Sequence, residues 1–393
     1  MRRRRRVLIV THSYYLRDTR PRRHAEALID AGFEVDVLCC RDEGEPQNER
    51  HRGVNIRRLP FRRERGGKVR YLFEYASFIL VALLTVAAMH LRRRYKVVWI
   101  LSIPNTMVFT GLIPRLLGTP VVLDVRDPMP EFFFSKYGMS PGSPLSRALL
   151  TEERLSARFA SHLVTVHRPL LDALLRTGVP RSRTTVVMNA PDLRLLDVPD
   201  RSLRDPDDRT VLYAGTIAAR YGVDVALEAV ALLHSEIPRI RLRLVGDGDL
   251  VPALQARART LGIADRISFD GPVSLPEIPA IVGQSWVGVQ AHRLDPLMRF
   301  STSTKVLEWC ALGLPVVVSR TDGVTHFFSD DDVTFVEPGD AQDLAAKLLE
   351  LHKDPALPAE RARNARETAL ERFDWDNEKA TLIALVKRLG GLA

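Results

Sequence analysis

"FSTSTKVLEWCALGLPVVVSRTDG", residues 300–323, contains a hydroxyl-rich loop, a short amphipathic helix, a Gly-x-Pro break, a run of valines and a second glycine turn. A continuous valine run of this kind is typical of a parallel strand that is buried on both faces. The helix before it begins directly in the loop. Because a helix N-terminus offers unpaired N–H groups and a positive dipole end, it favours a bound phosphate. The stretch therefore predicts an α/β fold with an anion-binding loop.

The polar residues at the start of this helix are candidate ligands for a phosphorylated substrate. Four of them carry hydroxyl groups that can donate hydrogen bonds or cap the helix: Ser301, Thr302, Ser303 and Thr304. Lys305 adds positive charge in the first turn, where a cation is unfavourable for the helix itself. Glu308 lies one turn later and can reach a pair of sugar or ribose hydroxyls. A capped surface helix with a Lys–Glu ion pair would show the same pattern.

Apolar runs alternate with helical patterns in both directions from this stretch. Before residue 190 the predicted strands are Val7–Val10, Val35–Cys40, Val97–Leu101, Pro120–Val125, Leu163–Val166 and Thr185–Met188. After residue 209 they are Val211–Ala214, Leu242–Val245, Ile267–Phe269, Val287–Gln290, Pro315–Ser319 and Val333–Val336. Between the two sets, residues 191–209 are rich in Pro and Asp and lack periodicity, which predicts a linker.

The two sets of strands predict two Rossmann-like, doubly wound parallel-sheet domains, residues 1–190 and 210–375. A chain of 393 residues is too long for one ordinary core, which agrees with two domains. Ligands of open parallel sheets bind beyond the carboxyl ends of the strands, so we expect two such sheets to face each other across a cleft. A last helix, within residues 376–393, is expected to pack back on the first domain.

Composition limits the classes of partner. The formal net charge is +9, but the basic residues are scattered, only 8 of the 57 Lys and Arg are lysine, and no nucleic-acid-binding motif occurs. We therefore expect no nucleic acid partner. Three cysteines give neither a disulfide framework nor a CxxC motif, which favours a reducing cytoplasm. The basic N-terminus precedes an apolar run of only four residues, so we do not expect a signal peptide.

Residues 71–91 form the most apolar stretch, with no charge from Tyr75 to Met89 and several basic residues on both sides. It falls short of the roughly 20 apolar residues that a membrane-spanning helix needs. Two interpretations remain. The stretch is either a buried core helix or a peripheral attachment to an anionic membrane, in which the apolar face enters the headgroup boundary and the arginines bind phosphates.

The motif Lys305-x-x-Glu308, followed by Ala311, Gly313 and Pro315-Val-Val, resembles the donor site of family 4 glycosyltransferases. These enzymes have the GT-B fold of two Rossmann-like domains. The resemblance implies that Glu308 binds the nucleotide ribose and that Ser301–Lys305 lies beside the diphosphate. It continues in VLYAGTIAARYG, LRLVGDGDL and ISFDGPV, which implies donor contacts at Gly215, Arg220, Gly246, Gly248 and Val273. In the first half, TPVVLDVRDPMPEFFF resembles the acceptor-domain segment.

Three positions depart from the family pattern. Phe300 replaces a glutamate that usually contacts the donor sugar. Tyr221 replaces the usual lysine of the donor-domain loop, which leaves Arg220 as the nearest cation. Arg126 stands where many members carry a histidine. These departures weaken the assignment of the donor more than that of the family.

Three residues are candidates for catalysis: Arg126, Asp127 and Arg220. Transfer from a nucleotide sugar builds negative charge on the departing diphosphate, which preorganised cations stabilise, and arginine binds phosphate in a bidentate manner. Asp127 follows a buried strand and is placed to orient or deprotonate an acceptor hydroxyl. Arg126 is placed to hold the acceptor or the phosphate. The resemblance implies retention of configuration, with the leaving phosphate accepting the proton.

We expect no cofactor and no metal ion. Gly246-Asp247-Gly248 lacks the complete dinucleotide fingerprint, so it does not indicate NAD. The acidic run Ser329–Val333 is interpreted as a solvated loop.

The sequence thus predicts a nucleotide-sugar-dependent hexosyltransferase, with a lipid-linked or membrane-surface glycan acceptor at the inner face of the cytoplasmic membrane. The alternatives are a natural-product glycosyltransferase with a soluble acceptor, a sugar-nucleotide epimerase on the same fold and a non-catalytic nucleotide-sugar-binding protein.

Overall fold

The computed structural model describes residues 5–62, 68–138, 142–195 and 204–392. The chain forms two compact units. Unit 1 comprises Met1–Asn189 together with Asn377–Ala393, and unit 2 comprises Ala190–Asp376. Of the linker predicted at 191–209, residues 196–203 lie outside the described part of the chain. The final 17 residues therefore belong to the same unit as the N-terminal half.

Unit 1 is built on an eight-stranded sheet with the order β3-β4-β2-β1-β5-β6-β7-β8. Its strands are β1 Arg6–Val10, β2 Glu34–Cys40, β3 Asn48–His51, β4 Val54–Leu59, β5 Val97–Leu101, β6 Val121–Val125, β7 His162–Thr165 and β8 Thr184–Val186. Its helices before the crossover are α1 Thr19–Asp30, α2 Lys68–Arg93, α3 Leu112–Leu116, α4 Met129–Tyr137, α5 Pro144–Phe159 and α6 Arg168–Leu174. All strand pairs are parallel except β3 with β4.

Unit 2 contains a six-stranded parallel sheet with the order β11-β10-β9-β12-β13-β14. Its strands are β9 Arg209–Ala214, β10 Ile240–Val245, β11 Ile267–Gly271, β12 Val287–Gln290, β13 Val316–Ser319 and β14 Thr334–Val336. Its helices are α7 Val223–Leu233, α8 Val251–Thr260, α9 Ile278–Gln284, α10 Thr304–Ala311, α11 Asp322–Thr325, α12 Ala341–Lys353 and α13 Ala356–Arg372. Helix α14, Trp375–Leu389, leads the chain back into unit 1.

The return of the chain to unit 1 is fixed by polar contacts of α14. The Glu378 carboxylate accepts a hydrogen bond from the Met188 backbone N–H at 2.6 Å. Lys379 donates to Asp30 at the end of α1 at 2.8 Å. The segments that leave and re-enter unit 1 therefore lie side by side.

The β3–β4 hairpin is absent from the strands predicted by sequence. Its residues are strongly charged, and the charges hide a strand pattern that depends on apolar alternation. In the structure Arg58 of β4 is fully buried, because Glu45 and Glu49 pair with its guanidinium at 3.0 and 2.6 Å. The buried charge is thus compensated by Glu49 of the hairpin and by Glu45 in the loop before it.

Helix α2 has two different apolar faces. Phe78, Ala82 and Val86 are fully buried in the core against the sheet of unit 1. The outer face carries Leu80, Leu84 and Leu91, which are 61%, 62% and 63% exposed. By length and composition alone Phe73–Arg93 could cross a membrane, so the expectation that this stretch is too short was wrong. The inward packing identifies it as a layer of the α/β unit with an apolar outer surface. The predicted basic flank at 63–67 lies outside the described residues.

The loops that leave β9, β10 and β12 approach one another so closely that side chains are excluded. A Cβ at Gly246 would lie 1.9 Å from the Gly215 carbonyl oxygen, and one at Gly222 would lie 1.7 Å from that of Ala291. Gly222, with φ of 65°, also has the left-handed backbone that starts α7. Glycine at these positions lets the carboxyl ends of three strands converge.

Replacement of Gly222 by alanine is expected to destabilise unit 2 through a backbone clash. Gly262→Ala is the matched control, since Gly262 has φ of 70° but nothing within 4 Å of the added Cβ. The control should lower the free energy of unfolding by about 1–2 kcal/mol, the cost of a left-handed alanine. Gly222→Ala should cost roughly 2 kcal/mol more. Urea denaturation measures both, and equal losses would contradict the close approach.

Candidate functional site

Helix α10 opens from the hydroxyl-rich loop as the sequence predicts. The Ser303 hydroxyl caps it by accepting a hydrogen bond from the Lys305 backbone N–H at 3.3 Å. The loop lies against α11, because a Cβ at Gly323 would be 2.7 Å from both the Phe300 and Ser301 carbonyl oxygens. Thr302 Oγ1 is buried and has no hydrogen-bond partner among the described residues. This loop therefore contains a hydroxyl group that no described residue satisfies.

Lys305 and Glu308 form an ion pair on the first turns of α10. Lys305 Nζ lies 2.9 Å from Glu308 Oε2. Glu308 is only 8% exposed, whereas Lys305 remains partly accessible. The Lys–Glu ion pair expected of a capped surface helix is therefore present. It differs from an ordinary surface pair because its carboxylate is nearly buried. A ligand that carries both a diol and a phosphate could bind Glu308 through the diol and Lys305 through the phosphate.

The other predicted donor residues lie at the carboxyl ends of neighbouring strands. Gly215 follows β9, Gly246 and Gly248 follow β10, and Val273 follows β11. A Cβ at Gly248 would lie 2.0 Å from the Ile217 carbonyl oxygen, so the loops after β9 and β10 are in direct contact. The close approach leaves no room for side chains at these glycine positions.

Arg220 lies in the 3-10 helix Ala219–Tyr221 and is half-buried. Its backbone carbonyl accepts a hydrogen bond from the Arg293 N–H at 3.1 Å. Within the described part of the chain its guanidinium makes no hydrogen bond or ion pair. Because no described carboxylate neutralises its guanidinium, Arg220 is available to an anion.

Two buried polar residues of this region were missed by the sequence analysis. His292 follows β12, is fully enclosed and shares a 2.8 Å hydrogen bond with the Gln290 side chain. Burial lowers the pKa of His292 to about 4, so the imidazole is neutral at pH 7. Thr321, after β13, has a buried hydroxyl without a partner among the described residues. The polar residues Gln290 and His292, directly after an apolar strand, were the available signal.

Arg126 and Asp127 lie at the carboxyl end of β6 in unit 1. Arg126 Nη1 lies 3.0 Å from both carboxylate oxygens of Asp18, and its Nη2 donates to the Ser102 carbonyl at 3.4 Å. Asp127 is half-buried beside it. These two candidates belong to unit 1, whereas Arg220 and all donor candidates belong to unit 2.

Asp124, two residues before Arg126, has a structural role. Its carboxylate is fully buried and receives bidentate hydrogen bonds from Arg20, with a third from Trp99 Nε1 at 3.0 Å. Burial alone would raise the pKa of Asp124, but the Arg20 guanidinium and these hydrogen bonds hold it below its usual range. Arg20 also donates to the Val187 carbonyl and to Asn189 Oδ1 at 2.9 and 2.8 Å.

Among the described residues no group of three or more His, Cys, Asp or Glu side chains is arranged to hold a metal ion. The acidic run at 329–333 forms a capped turn. Asp332 accepts from the Ser329 N–H and from Thr368, and Asp330 pairs with Arg320.

Comparison with known proteins identifies the family. The "Glycosyl transferase 4-like domain" model matches residues 18–190, and the "Glycosyl transferases group 1" model matches residues 197–368. The two matches together cover most of both units. The chain belongs to the group 1 glycosyl transferases. It is therefore a glycosyltransferase that depends on a nucleotide sugar, as the sequence predicted.

The relatives of this glycosyltransferase act on varied acceptors. A D-inositol 3-phosphate glycosyltransferase of Thermobispora bispora is 28% identical over 91% of this chain and 86% of its own. Mannosylfructose-phosphate synthase of Agrobacterium fabrum is 25% identical over 46% of this chain, a match that spans only 41% of that relative's length.

Solved structures confirm the GT-B fold of the glycosyltransferase. Sucrose-phosphate synthase from Thermosynechococcus elongatus superposes with a TM-score of 0.82 at 19% identity, covering 99% of this chain and 100% of the other. HepE from Anabaena in complex with UDP and glucose has a TM-score of 0.72 at 18% identity, covering 97% and 99%.

Asp124→Asn is expected to lower the free energy of unfolding at about pH 7 by roughly 3–5 kcal/mol, because it leaves the Arg20 charge buried without its partner. The pKa of Asp124 is depressed in the folded state, so the ion pair stabilises the protein above the ordinary carboxyl pKa of about 4 and is lost as the pH falls through the lower folded value. The difference in the free energy of unfolding between the wild-type protein and the variant should therefore become smaller below about pH 4.

The control for this prediction is Asp172→Asn, which breaks an exposed pair with Arg181 and should cost less than about 1 kcal/mol. Urea titrations across the acid range measure both variants. If Asp124→Asn lowers the free energy of unfolding by the same amount at every pH, the charge of Asp124 is not the cause of the loss.

Proposed function

We propose that this glycosyltransferase transfers a hexosyl group from a nucleoside diphosphate sugar to an acceptor hydroxyl with retention of configuration and without a metal ion. The observation that carries the proposal is the start of α10, where a capped N-terminus, Lys305 and the nearly buried Glu308 adjoin a buried, unpartnered hydroxyl. These groups match the chemistry of a diphosphate joined to a ribose. HepE, bound to UDP and glucose, shares the fold.

In the proposed donor complex, Glu308 accepts hydrogen bonds from the ribose hydroxyls. Ser301–Thr304 and the N–H groups of α10 hold the diphosphate, because a helix N-terminus stabilises an anion. Lys305 then turns from Glu308 towards the phosphate, where it neutralises charge that grows as the sugar leaves. The loops at Gly215, Gly246 and Gly248, with Val273, bind the nucleotide through main-chain groups.

Arg220 is proposed to bind the departing diphosphate, which its lack of a counter-charge supports. Two positive groups, Arg220 and Lys305, would replace the divalent cation that some glycosyltransferases use to stabilise this leaving group. Arg126 and Asp127 are proposed to hold the acceptor hydroxyl, with Asp127 orienting it. The leaving phosphate accepts the acceptor's proton, so Asp127 assists the reaction without being indispensable. Family membership favours a transferase over the epimerase and the non-catalytic binding protein.

The acceptor is proposed to be a lipid-linked or membrane-surface glycan, with the enzyme at the inner face of the cytoplasmic membrane. The outer face of α2 supports this, since its leucines are exposed in a row and Arg92, Arg93 and Arg94 follow them. An apolar face beside arginines suits the boundary of an anionic bilayer. A soluble natural-product acceptor is the second candidate, which the row of exposed leucines disfavours.

The donor proposal predicts a thermal shift with UDP-, GDP-, dTDP- or ADP-sugars, measured in EDTA. At about 100 times its Kd a ligand stabilises the folded protein by about 2.7 kcal/mol. Glu308→Ala and Arg220→Ala should each weaken binding by roughly tenfold or more, because each removes a charge-assisted contact. The control is Glu350→Ala, which breaks the Lys347–Glu350 pair of the same i,i+3 spacing and 2.9 Å length on α12.

No shift with any donor, or equal shifts in Glu308→Ala and Glu350→Ala, would contradict the assigned site. Once a donor is known, proton NMR of the product of donor hydrolysis or transfer reports the anomeric configuration. Inversion would contradict the proposed mechanism.

The membrane proposal predicts that the protein floats with vesicles containing anionic phospholipid. Leu80→Ser combined with Leu84→Ser should abolish flotation, because the pair supplies the exposed apolar surface of α2. Leu232→Ser on α7 is the control, since Leu232 is 50% exposed in unit 2. Recovery of the wild-type protein in the soluble fraction, or equal flotation of the two variants, would contradict attachment through α2.

A further inference from the structure

A cavity of about 530 Å³ opens at the amino-terminal edge of the sheet of unit 2. Its lining includes Arg209, the first residue of β9, as well as Trp286 and Pro315, which directly precede β12 and β13. The candidate donor residues follow the opposite, carboxyl ends of these strands. The cavity is therefore separate from the donor site, and its volume falls within the range of small-molecule sites.

Four arginines line this cavity: Arg204, Arg209, Arg363 and Arg366. Their hydrogen bonds to other described residues reach only neutral acceptors. Arg204 donates to the Asp208 backbone carbonyl at 2.5 Å, Arg209 to His352 Nδ1 at 3.0 Å and Arg366 to the Ala311 carbonyl at 3.2 Å.

The carboxylates nearest in sequence are engaged elsewhere. Asp205 pairs with Arg239, and Asp208 accepts a hydrogen bond from the Thr210 hydroxyl at 2.8 Å. In the part of the chain that the structure describes, no carboxylate forms an ion pair with any of the four arginines. Positive charge therefore exceeds negative charge at the cavity, where Asp208 and Asp205 offset only part of the charge of Arg204.

Burial and the positive charge lower the pKa values of basic groups at the cavity. Burial and the adjacent Arg209 guanidinium lower the pKa of Arg204. Burial and the charges of Arg209 and Lys353 lower the pKa of His352, which keeps its imidazole neutral and able to accept the Arg209 hydrogen bond. Repulsion among like charges is unfavourable in a partly enclosed space, and a bound anion would relieve it.

The remaining lining is apolar. Leu351, Pro355, Pro358 and Ala362 form part of the wall. Trp286 is covered by the Arg209 guanidinium, which lies 5.3 Å from the ring centroid. Since that contact holds Arg209 at the cavity, its charge is preorganised. A ligand that fits combines an anionic group with a compact uncharged body.

We propose that this cavity binds a phosphorylated small molecule, distinct from the sugar donor. Phosphate oxygens match the forked donors of arginine, and the apolar wall accommodates the body of the ligand. The site also adjoins α10 at its far end, because Arg366 donates to the carbonyl of Ala311, the last residue of that helix. The proposal does not depend on the identity of the donor or the acceptor.

Isothermal titration calorimetry with inorganic pyrophosphate tests the site. Lys305→Gln first weakens binding at the donor site, where Arg220 and the start of α10 remain. A second class of binding, which this replacement leaves unchanged, is expected to persist in that variant. Adding Arg204→Gln and Arg363→Gln should weaken the persisting class about tenfold or more, since each arginine supplies a charge-assisted contact. Added salt should weaken it too.

The control is Arg259→Gln in the Lys305→Gln background, because Arg259 is exposed on α8 and away from the cavity lining. Because Arg363 is exposed, Arg363→Gln alone is expected to fold. This single replacement serves as the test if the double replacement unfolds. Loss of all pyrophosphate binding in Lys305→Gln would overturn the proposal. So would equal affinities in the cavity variant and the Arg259→Gln control, or an absence of binding at millimolar concentration.

Discussion

Unit 2 of this enzyme depends on a steric constraint: the loops that leave neighbouring strands touch through their main chains. Gly246 fits against the Gly215 carbonyl, Gly248 against that of Ile217 and Gly222 against that of Ala291. A single methyl group would separate any of these pairs. Because the loops are so close, the carboxyl edge of the sheet presents backbone groups at fixed positions, and α10 delivers its charged residues to that same edge. Packing here fixes the surface at which the donor is proposed to bind.

At the carboxyl edge of its sheet, unit 1 relies on ion pairs between side chains instead of main-chain contacts. A buried ion pair, Arg20 with Asp124, joins α1 to β6 and also reaches the segment after β8. Two residues further along the chain, just after β6, Arg126 and Asp18 form a more accessible pair of the same type. One pair thus lies in the core, while its neighbour is the one proposed to bind the acceptor. The proximity of Asp124 and Asp127 in sequence conceals this difference, which only burial reveals.

Sequence predicts the fold well where periodicity and glycine turns agree. The bounds of β5 and β12 match their predictions, and the start of α10 has the predicted serine cap. The β3–β4 hairpin was missed because Arg58 breaks the apolar pattern while being buried by its glutamate partners. Between β5 and β6 the chain forms the 3-10 helix Asn105–Gly111 followed by the short α3, and no sequence pattern marks this division. The buried His292 was also missed, although this polar residue comes two positions after the apolar strand β12. Nor could the cavity at Arg209 be inferred, because its arginines are scattered over 163 residues of the chain, from 204 to 366.

The position of α14 has a consequence for how the protein is made. Unit 1 begins at the N-terminus, but its last segment is Asn377–Ala393, and Glu378 bonds to the Met188 N–H that ends its first part. During synthesis the ribosome must therefore complete all of unit 2 before unit 1 receives its closing helix. Unit 2 is continuous in the chain and can reach its native contacts first. Until those residues emerge, unit 1 has all eight of its strands but lacks α14.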